Sequence, residues 1–174
     1  LLMAVLMVLQ GQRWPRGRNL LLLMAMGGAG YVGQSFCYFA ALQHATAGLT
    51  ALLLYLYPAI VTVLSALLAR RRLSPLRLLA VAAALFGTGL AVGGSLSGSV
   101  MGIILGVAAA LIYSVYILVG ERVTRVSGAM PSATVIMLAA AAVYGLIVFS
   151  RGPAFPVSLA AWTAVGGIAL FSTV

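Results

Sequence analysis

Acidic side chains are all but absent from this chain. Its 174 residues include one, Glu121, against ten arginines, with no aspartate and no lysine. Reactive side chains are equally scarce: one cysteine, Cys37, and one histidine, His44. A lone cysteine permits no internal disulfide, and inside an apolar run it reports no redox compartment. These residues cannot build a Ser-His-Asp triad or a zinc ligand set. A Gly-rich phosphate loop is also missing, so nothing in these residues would hydrolyse ATP. Neither a metal nor a cofactor is expected, and an enzyme is the least favoured class. Only 6% of the residues are charged, whereas a soluble domain carries about a quarter. The chain lacks the polar surface to cover itself in water. The reading is an all-α, polytopic transmembrane helix bundle.

What is present is a series of apolar runs separated by short loops. The run from Ala45 to Ala69 is uncharged and stops at Arg70, Arg71 and Arg72. Roughly 25 residues at about 1.5 Å each suffice to cross a hydrocarbon core of about 30 Å. Pro58 interrupts this run. Within a membrane such a proline is tolerated, and it frees the carbonyl of Leu54, four residues earlier. The other spans are Leu20–Leu42, Leu76–Val92, Val100–Gly120, Ala133–Ser150 and Ser158–Val174. Glu121 to Pro131 reads as a loop. Leu1–Leu9 is too short to span and reads as the tail of another helix. Both chain ends fall inside apolar runs, so the chain is expected to be truncated at both ends.

Alternate loops carry Arg13, Arg16 and Arg18; then Arg70, Arg71, Arg72 and Arg77; then Arg122 and Arg125. The loops between them carry only Arg151. By the positive-inside rule the arginine-rich loops are cytoplasmic and the protein is a multi-pass component of the cell (inner) membrane. Because the arginines lie between apolar runs, their charge orients helices and does not imply nucleic-acid binding. A weak internal echo links Ala25–Gly30 (AMGGAG) with Ala164–Ala169 (AVGGIA). Five spans separate equivalent helices, so the two copies run in opposite directions. That is the mark of an inverted repeat, common in secondary transporters.

Ala40-Ala41-Leu42, Ala45 to Thr50 (ATAGLT) and Tyr57-Pro58 together resemble a helix of the drug/metabolite transporter superfamily, in its ten-helix EamA-type branch. Leu73-Ser74-Pro75 and Phe86 to Leu90 (FGTGL) are similar to that helix's continuation. Gly102 to Arg122, with Ala108 to Ala110 and Tyr113-Ser114, resembles the helix that opens the second repeat. The resemblance implies a bundle of inverted five-helix repeats. Residues 1–93 would be helices two to five of the first repeat, and residues 100–174 helices six to eight, opening the second. Arg71 stands where the family often has a glutamate. The implied function is secondary transport, by export, of small organic solutes such as amino acids, metabolites or drugs. A partner-dependent, permease-like membrane subunit is the alternative. The short inner loops offer no coupling helix for it.

Candidate lining residues follow from helical spacing. Gly27, Tyr31, Gln34 and Tyr38 fall on one face of an α-helix. An amide at the depth of Gln34 needs partners. Tyr55 and Thr62 flank the Pro58 hinge. Tyr113 in the fifth span and Trp162 in the seventh complete the expected substrate-binding set. The expected partners are a small-molecule substrate and the lipid bilayer, with a homodimer possible. His44 reads as a turn or cap residue, and Glu121 is expected to pair with Arg125.

Overall fold

The computed structural model describes residues 11, 12, 14–70, 74–92 and 96–152, with residues 158, 162, 163, 166 and 167 beyond them. The apolar run expected at Leu1–Leu9 and almost all of the seventh span lie outside the described residues. Five helices follow one another: α1 (Arg18–Leu42), α2 (Ala47–Leu68), α3 (Pro75–Val92), α4 (Val100–Ser127) and α5 (Ala129–Arg151). No strand forms among the described residues. Four helices are long and apolar enough to cross a membrane: α1, α2, α4 and α5. The apolar part of α3 is shorter, Leu78–Leu90. The protein is an all-α, polytopic membrane protein.

The helices begin where the sequence supplies caps. The Thr46 hydroxyl accepts from Leu49 N at 3.4 Å, and the Ser99 hydroxyl from Gly102 N at 3.3 Å. Each satisfies an amide that has no partner within its own helix. The two segments before these helices also join. Thr46 N donates to Ser97 O at 2.9 Å, and Ser99 N to His44 O at 2.8 Å. The two uncharged turns are therefore stitched together at one end of the bundle. Helices alternate in direction, so the arginines that flank α1, α2 and α4 gather at the other end.

Two expectations are corrected. Glu121–Pro131 is not a loop, because α4 continues to Ser127 and α5 starts at Ala129. Glu121 and Arg125 pair at 2.6 Å on the exposed helix face, one turn apart, which supports continuation. The whole connection is Gly128, at φ 83°, a conformation that costs little only without a Cβ. Pro131 is harmless in the first turn of α5, where no amide partner is required. The second correction concerns Gly27. Residues Met26–Tyr31 of α1 form π-helical turns. Gly27 packs against Ile136 and Ala139 of α5, so it supplies a helix contact and not an open cavity wall.

Helix α4 is central, packing on α1, on both parts of α2 and on α5, while α3 rests on α2. The buried positions are mostly small: Ala41, Gly102, Gly106, Ala109, Ala110 and Ser114. Large apolar side chains point outward, such as Phe36, Phe86 and Phe149, the last 89% exposed. Lipid chains solvate those side chains as well as a protein core would, so the interfaces are left to small residues that permit close approach. At Gly27 a Cβ would lie 2.3 Å from the Ile136 carbonyl oxygen. At Gly106 it would lie 2.7 Å from Leu53 Cδ1. Gly33 has open space around it.

Gly27→Val should therefore destabilise the protein by about 1–3 kcal/mol, the usual cost of overpacking. Gly33→Ala should be neutral or stabilising by up to about 1 kcal/mol, from helix propensity alone. Thermal unfolding in detergent compares the two. Equal melting temperatures would contradict the contact at Gly27.

Candidate functional site

Helix α2 breaks where the proline lies. Ala47–Leu54 ends in a tight turn, with Leu56 N donating to Leu53 O at 3.2 Å. A new helix, Tyr57–Leu68, then starts with Pro58 in its first turn. Pro58 has no N–H to give the Leu54 carbonyl. Facing this break is the part of α1 that follows its π-helical turns. Between them, closed on the third side by α4, is a cavity of about 380 Å³. Tyr31, Gln34 and Tyr38 of α1 line it, with Ala51, Leu54, Tyr55 and Tyr57 of α2 and Tyr113 of α4.

Five of the seven expected substrate-binding residues thus stand around one cavity: Tyr31, Gln34, Tyr38, Tyr55 and Tyr113. Thr62 is not among its lining residues, because its hydroxyl donates to the Pro58 carbonyl at 2.7 Å, one turn back along α2. Trp162 is 49% exposed and lines no described cavity. Tyr57 was not anticipated. Its position before the proline looks structural, and only the restart of α2 turns it inward. Its ring meets Tyr113 edge to face, at 4.8 Å and 77°. Tyr113 in turn lies nearly parallel to Tyr116, at 6.0 Å and 14°. Ser114, fully buried, donates to Ala110 O at 2.7 Å and lies 3.3 Å from Tyr57 O, tying α4 to the break.

A second cavity, of about 720 Å³, runs between α1, α4 and α5. Tyr31 lines this one too. A third, of about 330 Å³, lies at the joined turns around His44 and Ser97. Neither an acid nor an arginine lines any of the three. Among the described residues, no group of His, Cys, Asp or Glu could hold a metal ion. What the first cavity offers is chemically plain: phenol rings, phenol hydroxyls and one amide. It can stack on planar or cationic groups and hydrogen-bond to polar ones.

The profile of the EamA-like transporter family matches residues 1–93. The chain belongs to that family. The match covers α1, α2 and α3, and so includes seven of the eight residues that line the cavity at the break. No curated protein and no solved structure is significantly similar to the chain. Membership in the EamA-like family makes this a transporter-type membrane protein. Its tyrosine-lined cavity lies between helices, where ligand sites of helical bundles are usually built.

Because the Thr62 hydroxyl is already bonded to its own helix, Thr62→Val should change solute flux by less than about twofold. Flux through the reconstituted protein is the check. A large loss would mean that the hydroxyl leaves Pro58 and meets solute.

Proposed function

We propose that this protein is a secondary transporter that exports small organic solutes, such as amino acids, other metabolites or drugs, by alternating access. The observation that carries the reading is the cavity at the α2 break, where Tyr31, Gln34 and Tyr38 face Tyr55, Tyr57 and Tyr113. Binding at broken helices near the membrane midplane is the usual design of such carriers. The residues around Pro58 act as the hinge, since a helix already interrupted there bends without losing further backbone bonds. Gln34 supplies the hydrogen bonds and the phenol rings supply contact area. In this reading residues 1–93 and 100–174 belong to two inverted repeats that rock about the cavity. The arginine-rich loops face the cytoplasm and the joined turns face outward, across the inner membrane.

The test is counterflow in proteoliposomes holding the full-length protein, with labelled amino acids, nucleosides and amines. At least one class should exchange. Gln34→Leu should weaken it about tenfold, the effect of losing one buried hydrogen bond of about 1.4 kcal/mol. Unchanged exchange in that variant would count against the site. If no class exchanges in folded protein, the reading gives way to a partner-dependent subunit.

Orientation is tested separately, in Cys37→Ser protein. A cysteine in place of Ser97 should react with an impermeant maleimide added outside cells. One in place of Arg122 should react only after the membrane is opened. The reverse pattern would invert the proposed topology.

A further inference from the structure

We propose that the transported solute is amphipathic and occupies both inner cavities at once. Its polar group sits at the α2 break beside Gln34, and its apolar tail lies in the larger cavity between α1, α4 and α5. This rests on the carrier reading above and assigns the tail a site of its own.

The two cavities share a wall. Tyr31 lines both. Tyr113, which lines the smaller, stacks on Tyr116, which lines the larger. Gly30 lies close to this junction, since a Cβ there would lie 3.3 Å from Tyr116 Cδ2. Phenols line both, Tyr31, Tyr116 and Tyr144 in the larger, but only the smaller holds an amide. Apart from its tyrosines the larger is walled mainly by Met26, Ile117, Ala133, Ile136, Met137 and Ala140. Its two aliphatic hydroxyls are turned back on their own helices. Ser132 donates to Gly128 O at 2.6 Å, and Thr124 donates to Gly120 O. Neither has its proton to offer a ligand. An apolar space filled by a tail gains about fourfold in affinity for each methylene removed from water. The two methionines adapt their shape to tails of different form.

The probes are two series, straight-chain 2-amino acids and straight-chain primary amines. Each is tested for counterflow and competition with the full-length protein in proteoliposomes, with protein-free liposomes as the control for partition into lipid. In at least one series apparent affinity should rise about fourfold per added methylene and then level off when the cavity is full. Ala133→Phe should bring the plateau to shorter tails. Met137→Ala, a truncation at a half-exposed position, should move the plateau to longer tails. Gln34→Leu should weaken all members by the same factor. Affinity independent of tail length would overturn the two-cavity proposal and leave the carrier reading standing. So would a plateau that neither variant moves, as when a bilayer acyl chain fills the cavity instead. No exchange of any member of either series would overturn the two-cavity proposal, and the carrier reading falls with it only if nucleosides also fail to exchange.

Discussion

Within a bilayer, a backbone amide or carbonyl has no water to turn to, so it must find its partner in the protein. The structure around the central cavity depends on that constraint, because two neighbouring helices depart from regular hydrogen bonding there. The π-helical turns of α1 change its register between Met26 and Tyr31. Helix α2 stops at Leu54 and restarts at Tyr57. At the α2 break two hydroxyls lie close to the backbone. Thr62 donates to the Pro58 carbonyl, and Ser114 reaches toward Tyr57 O from α4. The same irregularities keep the helices from closing on one another, and the cavity is the space left between them. The candidate site and the helix irregularities occupy one layer, as is common where helices carry π turns or prolines.

Much of this was legible before any coordinates. One acid, ten arginines and long apolar runs allow only a membrane bundle, and helical spacing alone brought Tyr31, Gln34 and Tyr38 onto one face. Pro58 marked the break, since a missing N–H has one consequence wherever the chain folds. What was not legible followed from tertiary register. Small residues at Gly27–Gly30 are compatible with either α or π turns, and spacing does not show that Gly27 is packed shut against Ile136. Tyr57 was hidden for a related reason. A residue that restarts a helix takes its direction from the new helix, and periodicity counted through the break points it elsewhere. The extension of α4 past Gly120 was masked by charge. Glu121, Arg122 and Arg125 look like loop residues until the pairing of Glu121 with Arg125 places them on one exposed helical face.

The glycines show how little specificity small-residue packing carries by itself. Gly27, Gly102 and Gly106 each stand where a methyl group would collide with a neighbouring helix, yet Gly33 and Gly145 meet nothing. All look alike in sequence. The difference is whether another segment lies against the glycine, with backbone, an alanine methyl or, at Gly106, the Leu53 side chain. The Ile136 carbonyl oxygen fills that role for Gly27, and the Ala45 Cβ, 2.9 Å from the position a Gly102 Cβ would take, does so there. Close approach at Gly27 has a consequence one turn further along α1. With α5 held tightly against Gly27, Tyr31 is left projecting at the boundary of the two cavities.

Charge decides what such an interior can accept. The chain's one acid is exposed and already paired, and uncharged side chains line both inner cavities. Moving an unpaired ion from water into such a space is costly, and phenol rings with one amide offset only part of that cost. A zwitterion fares better, because its own opposite charges accompany each other and leave a dipole for Gln34 and the phenol hydroxyls to solvate. A monovalent organic cation fares better too, since its charge is diffuse and ring faces attract it. Both classes keep an apolar portion, and this portion is what the methionines, isoleucines and alanines of the larger cavity can hold. In the proposed carrier such a lining would select against compact, highly charged solutes by desolvation and in favour of amphipathic ones by contact area, without a single charged side chain among the residues lining the two cavities.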